Sequence, residues 1–463
     1  MDAENNIRDD AQNEVSDQED VMNIMVQAFA LAVREEDLAT LKELASQQHS
    51  ADLADILQIL PANLRRKAIE LLRADFDPSV LAELDGEAFE DAIFVLEPEE
   101  IADAVSQMDT DDAVFVLEEM DEADKQEILS NVAPDDRIHI EEGLAYPEDS
   151  AGRLMQRDMI SVPPFWTIGQ TLDFMRDHED LPNDFWEIFV VDPHHRPIGT
   201  VPLSWVLRSK RPTLVRDIMK EEQTLFPVDM DQEEVARQFR QYNLVSAAVV
   251  DSNERLVGMI TVDDVVDVIE EEAGEDILAL GGVSDGDINI SITDIMQKRL
   301  GWLVINLITA ILASVVIGVF GGSIEQMVAL AVLMPIVASM GGNAGTQTMT
   351  VAVRALATHE LTVSNAWRIV HKELWVGIGN GAILALLTGV VAAFWFDSAP
   401  LGAVIFAAMM INLIVAGLAG ILIPIALDRM DVDPAVSSGV FVTTVTDVVG
   451  FFAFLSLASL VLL

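Results

Sequence analysis

The chain has 463 residues, with 77 Asp and Glu against 27 Lys and Arg, a formal net charge of −50, yet 51% of it is hydrophobic and its mean hydropathy is +0.32. So acidic a chain argues against nucleic acid as a partner, because phosphate binding needs a basic surface. The absence of cysteine excludes disulfides, thiolate metal sites and cysteine nucleophiles.

The charge is unevenly placed. Residues 295–463 hold 8 acids and 6 bases, which leaves 69 acids and 21 bases, a net of −48, for residues 1–294. An acidic, water-facing part therefore precedes a nearly neutral, apolar part. Part of that charge is ordinary solvated surface; the rest calls for cations or basic partners. Residues 1–20 are polar and acidic, carry no cleavable secretory signal, and predict a disordered tail.

Residues 21–145 predict an all-α domain. Apolar side chains recur at helical spacing, as in LADILQIL (53–60) and AVFVLEEM (113–120), and Pro61, Pro78, Pro98 and Pro134 punctuate the run. Amphipathic units of similar length suggest a superhelix of helical hairpins. Glu99 and Asp103 fall four apart on one helix face, where like charges repel unless a cation or another surface takes them up. Simple solvent exposure is the alternative.

Residues 146–275 contain a repeat. IFVVDPHHRPIGTVPLSWVL (188–207) matches AAVVDSNERLVGMITVDDVV (247–266), and the two VVD tripeptides start at Val190 and Val249, 59 residues apart. Helical stretches TIGQTLDFMRD (167–177) and DQEEVARQFRQYN (231–243) precede them, and turn residues separate β-branched runs. The order predicts two copies of one βαββα module and resembles a tandem CBS pair. The second copy ends in the densest acid run, with Asp264, Asp267, Glu271 and Glu275 on one helical stripe beside Glu272 and Asp276. Carboxylates suit a hard divalent cation; a solvated acidic helix is the alternative. A connecting helix over 276–299 follows.

Five apolar stretches then reach the length of a bilayer-spanning helix: about 301–320, 326–353, 374–396, 402–427 and 438–463. Lys298, Arg299, Arg354, Arg368, Lys372 and Arg429 all fall on one side of five such spans, so the N-terminus is expected in the cytoplasm and the C-terminus outside. The second stretch contains Pro335 and MGGNAGTQT (340–348). This reads as a break whose freed carbonyls, with Asn343 and Gln347, line a cavity, or as a glycine-mediated helix contact. Asp447 lies in the fifth stretch with no basic residue inside any span to pair with, so a cation is its simplest partner.

These residues together carry a family likeness. PEDSAGRLM (147–155), TVDDVVDVIEEEAGEDI (261–277), MPIVASMGGNAGTQTMTVAVRALAT (334–358) and DPAVSSGVFVTTVTDVVG (433–450), in this domain order, resemble the MgtE magnesium channels. The resemblance implies a homodimer in the bacterial inner membrane. Its Mg2+ path would be lined by Gly341, Gly342, Asn343, Gly345 and Gln347 and centred on Asp447. It also implies that cytosolic Mg2+ closes the pore by binding at Glu99, Asp103, Asp231, Glu233, Asp264, Asp267, Glu272, Glu275 and Asp276. Asn243 stands where family members can carry an acid. Adenine-nucleotide binding at the CBS pair is left open. A transporter of another divalent ion such as Co2+, and a membrane-tethered CBS sensor without transport, are the alternatives. No enzyme is expected: His194 and His195 sit in a turn, and no nucleophile–base spacing is visible.

Overall fold

The computed structural model describes residues 21–463 apart from 179–180, 183–184, 284–291, 363 and 431. The acidic tail expected over 1–20 and part of the connecting segment lie outside the described residues. The chain divides into two compact units, Met1–Glu270 and Glu271–Leu463.

The first unit opens with helices α1 (21–35), α2 (Leu38–Ser46), α3 (Ser50–Ile59), α4 (Ala62–Leu72) and α5 (Ser79–Ala82). Then come α6 (Gly86–Val95), α7 (Pro98–Val105), α8 (Thr110–Glu118), α9 (Glu122–Asn131) and α10 (Pro134–Leu144). Their ends are written in the sequence. Pro98 and Pro134 occupy the first helical turn, where a missing N–H costs nothing. Glu97 and Glu100 close a capping box at the start of α7. Each helix is too short to be stable alone; α4 packs on α6, α7 on α9 and α8 on α10, and one apolar core including Leu57, Ile69, Leu81, Ala92 and Leu117 results.

That core takes in the Asp91 carboxylate with two arginine partners. Arg65, 5% exposed, donates from Nε to Asp91 Oδ2 at 2.7 Å and from Nη1 to the Gln58 and Leu60 carbonyls at 3.3 Å, while Arg66 Nε reaches Asp91 Oδ1 at 2.6 Å. Asp91→Ala strands the Arg65 guanidinium in the core and is expected to destabilise the first unit by about 3–5 kcal/mol. Thermal unfolding of the isolated variant measures this, and an unchanged melting temperature would contradict it.

The repeat folds as two matching modules. The first is β1 (Ser161–Val162), α12 (Ile168–Asp177), β2 (Glu187–Val191), β3 (Pro197–Pro202) and α13 (Leu203–Arg208), led in by α11 (Ala151–Leu154). The second is β4 (Leu225–Pro227), α14 (Gln232–Tyr242), β5 (Ser246–Val250), β6 (Leu256–Thr261) and α15 (Val262–Leu280). In each sheet the first strand pairs parallel to the second and the second antiparallel to the third. The VVD signature has a local cause. Asp192 Oδ1 accepts from the His194 and Arg196 N–H groups, and Asp251 Oδ1 from those of Asn253 and Arg255. Each aspartate thus closes its hairpin turn. Phe189, Val191, Ala248, Leu256 and Met259 join the two modules in one apolar layer.

Asn243 also has a backbone reason. It ends α14 with φ 52, and its N–H caps the Phe239 carbonyl. Asparagine tolerates this left-handed conformation better than most residues.

The second unit continues with α16 (Ile292–Val319), α17 (Gly321–Gln326), α18 (Val328–Ala357), α19 (Ala366–Trp395), α20 (Ala399–Asp428) and α21 (Pro434–Val461). Five of these are long and apolar enough to cross a membrane, over Ile295–Val319, Val328–Ala357, Ala366–Trp395, Ala399–Asp428 and Ser438–Val461. The protein is therefore read as a multi-pass membrane protein. α20 is central and packs on α18, α19 and α21. Its glycines set the approach: a Cβ at Gly402 would meet the Gly389 carbonyl at 2.6 Å, and one at Gly420 the Gly345 carbonyl at 2.7 Å.

One expectation is corrected. Met340–Thr348 is not a break, because α18 is continuous from Val328 to Ala357 with Pro335 inside it. The backbone carbonyls there stay in the helix. The glycines serve close packing instead, Gly341 against Asn412 and Gly345 against Val442.

Candidate ion-handling sites

Three places gather charge or polarity that the fold itself does not consume. The first is the pair of helices α18 and α21. α18 buries Leu333, Val337, Gly341, Gly345 and Met349, one residue per turn. Its opposite face exposes Ser339, Asn343, Gln347 and Thr350. Side chains of that kind in a membrane helix face other protein or water rather than lipid. Of the residues expected to line a path, Asn343 and Gln347 lie on this stripe. Gly342 is half-buried with open space beside it, while Gly341 and Gly345 are buried.

Asp447 is half-buried on α21. Its neighbours Thr443, Thr444 and Thr446 spend their hydroxyls on carbonyls of their own helix, at 2.9, 2.6 and 2.9 Å. Among the described residues the Asp447 carboxylate has no hydrogen bond or ion pair, so its charge is uncompensated within the chain.

The second place joins α15 to α21. Ala279 and Leu280 pack against a cluster of Met349, Val353, Ala435 and Val442. One turn earlier on α15, Asp276 is pushed above the usual carboxylate range by burial and by the charge of Asp433. Asp433 itself caps α21, its Oδ1 accepting from the Ala435 N–H at 2.7 Å. The sequence reading included Asp276 and missed Asp433, whose capping position gives it an ordinary explanation.

The third place lies within the first unit, where the N-terminal helices meet the second βαββα module. Two ion pairs hold nearby segments, Arg153 to Glu118 at 3.4 Å and Arg157 to Glu142 at 2.8 Å. In the same unit like charges are forced together. Asp111, at the start of α8, is held well above the ordinary range by burial and by Asp264, Asp112 and Asp109, and its Oδ1 is buried without a hydrogen-bond partner. Asp112 is pushed up to about 6 by burial, then by Asp109, Asp264, Glu83 and Asp267. Asp264 is pushed up to about 6 mainly by burial, although Thr261 donates to it from Oγ1 at 2.7 Å. Asp267 and Glu83 are raised too, each first by burial, and Asp267 acts on Glu83. A raised carboxylate favours the compact arrangement fully below about pH 4. For Asp112 and Asp264 that contribution is lost as pH rises to about 6.

Sequence spacing identified Asp264 and Asp267 here but missed Asp111, Asp112, Asp109 and Glu83. TDDAV reads as a routine acidic first turn of a helix, and only the tertiary fold brings it against α15. The remaining expected ligands sit apart. Glu99 and Asp103 are exposed on α7. Asp231 caps α14 through the Glu233 N–H at 2.9 Å, and its charge helps to raise Asp149. On α15, Glu272 is half-buried and Glu275 exposed. Among the described residues no three His, Asp or Glu side chains converge closely enough to hold a metal ion by themselves.

Elsewhere on the first βαββα module, Trp205, Arg208, Ser209, Asp217 and Ile218 line an open groove. Lys220 Nζ stands 5.2 Å from the centre of the Trp205 ring.

Comparison with known proteins agrees with this layout. Residues 334–457 match the MgtE family described as a divalent cation transporter, 48–149 match the MgtE intracellular N domain, and 151–204 and 215–271 match the CBS domain. A magnesium transporter MgtE of Thermus thermophilus is 35% identical over 341 residues, 73% of this chain and 75% of the relative. One of Bacillus subtilis is 28% identical over 437 residues, 94% of this chain and 97% of the relative. A solved cytosolic domain of the Mg2+ channel MgtE in complex with ATP is 30% identical, with a TM-score of 0.49, and covers 52% of this chain and 99% of its own.

Proposed function

The chain belongs to the MgtE family of divalent cation transporters, and from that membership we propose that it is a Mg2+-selective channel closed by cytosolic Mg2+. The observation that carries the proposal is Asp447, an uncompensated carboxylate in a spanning helix. An acid at the centre of a span costs about 2.5–3.5 kcal/mol on insertion scales, and a passing cation offsets that cost. Mg2+ gives up its waters reluctantly. Two Asp447 carboxylates across the twofold axis of a homodimer hold the ion through its water shell and avoid the dehydration. Asn343 and Gln347 offer amide oxygens to the same shell, Gly342 leaves open space beside them, and Gly341 and Gly345 let the helices approach.

For closure, the carboxylates around Asp111, Asp112 and Asp264 repel while metal is low, and Mg2+ between them favours the compact state. Asp276 and Asp433 act in the same way at the entry to α21. Glu99, Asp103, Asp231, Glu233, Asp267, Glu272 and Glu275 complete the regulatory set. The chain sits in the bacterial cytoplasmic membrane with its acidic part in the cytoplasm, on the side marked by Arg299, Arg354, Arg368, Lys372 and Arg429.

The groove beside Trp205, with an aromatic face and a cation within reach, is the place where we put an adenine nucleotide. Current recording in excised patches tests the whole reading. Large Mg2+ currents are expected without a proton gradient, falling as cytosolic Mg2+ is raised, with added ATP shifting the inhibitory concentration. Currents that need a proton gradient would instead favour a coupled transporter of divalent ions.

A further inference from the structure

Asn412 on α20 is fully buried among apolar neighbours of the membrane unit. Its Nδ2 donates to the Val337 carbonyl of α18 at 2.8 Å, so its Oδ1 faces away, and that oxygen is buried without a partner. Packing alone does not require an amide here, since Met409 and Leu413 on the same helix contribute to an apolar core. Two glycines make room for the carboxamide. A Cβ added at Gly341 would overlap Asn412 Nδ2, and one at Gly450 would come within 2.7 Å of the same atom.

The location of these glycines matters. Gly341 lies on α18 two residues before Asn343, and Gly450 lies on α21 one turn after Asp447. The carboxamide is therefore wedged between the helix that carries the polar stripe and the helix that carries the uncompensated acid, and it is bonded to the first.

We propose that Asn412 is a positioning residue for selectivity: it fixes the spacing of α18 and α21 and hence the width offered to a hydrated ion. It touches no ion itself. This rests on the reading of Asp447 as the conducting carboxylate. The chemistry explains why spacing selects. Mg2+ needs near-ideal geometry and keeps its waters, whereas Co2+ binds oxygen and nitrogen ligands more strongly and tolerates a site that lets it shed water. A loosened site loses more for Mg2+ than for Co2+.

The test is uptake of Mg2+ and of Co2+ by the full-length protein carrying Asn412→Leu, Gly450→Ala or Asp447→Ala, in cells otherwise deficient in Mg2+ uptake. Leucine keeps asparagine's branching, with methyls somewhat larger than the amide groups, and suits the apolar surroundings. Gly450→Ala pushes the intact carboxamide aside and keeps the test alive if the leucine variant fails to fold. Both are expected to lower the Mg2+ to Co2+ uptake ratio about tenfold, the equivalent of about 1.4 kcal/mol, with melting temperatures close to the parent's. A parental ratio in the folded variants, whether total flux is kept or uniformly reduced, overturns the proposal, since a merely structural role scales both ions alike. Asp447→Ala separates the two readings: if it keeps Mg2+ uptake, the conduction assignment fails whatever the Asn412 ratio does.

Discussion

Asp447→Ala is expected to abolish Mg2+ uptake while the protein still folds and reaches the membrane. Among the described residues nothing hydrogen-bonds to this carboxylate and no base pairs with it, so removing it orphans none of them. An unpaired acid in a span is a cost, about 2.5–3.5 kcal/mol at a helix centre. The alanine variant should therefore melt at the parent's temperature or above it. Loss of flux together with unchanged or raised stability is a signature that a damaged fold does not give. Asp447→Asn refines the point. It keeps an oxygen for the water shell but removes the charge that attracts the hydrated ion into the span, so flux should fall nearly as far as in the alanine variant. Uptake by cells deficient in Mg2+ transport, with detergent-solubilised protein for the melting curve, measures both. Normal flux in either variant would remove Asp447 from the ion path.

The sequence made Asp447 visible because charge inside a long apolar run is rare and its cost is local. The repeat was visible for a similar reason: Asp192 and Asp251 each close their own hairpin, so the contact that explains the motif lies within five residues of it. What stayed hidden depends on partners distant in the chain. The glycines of Met340–Thr348, read alone, fit a break or a helix contact equally. The choice is settled only when Asn412 and Val442, 71 and 97 residues beyond Gly341 and Gly345, are set against them. Asp111 and Asp112 look like a favourable acidic first turn; their repulsion comes from Asp264, about 150 residues downstream. Long-range juxtaposition of like charges leaves no periodic trace.

That same juxtaposition makes the second large effect. Channels in which Asp111, Asp112 and Asp264 are all changed to asparagine should lose the steep dependence of open probability on cytosolic Mg2+. Asp112 is pushed up to about 6 by burial and then by Asp109, Asp264, Glu83 and Asp267, so the compact arrangement holds several carboxylates against one another. A swing from 1:99 to 99:1 needs about 5.5 kcal/mol of differential binding, which several weak Mg2+ sites share. An effector shifts an equilibrium only by its differential affinity for the two states, and neutral amides take that differential away. They also remove the repulsion, so the triple variant settles at a fixed open probability instead of a regulated one. Removing residues 1–272 sets the direction: with the acidic part gone, the pore should stay conducting in millimolar cytosolic Mg2+. Excised-patch titration reads both. An inhibition curve like the parent's in the triple variant would move the sensor elsewhere, and Mg2+ inhibition retained after the deletion would place regulation in the membrane unit, where Asp276 and Asp433 are the next carboxylates to change.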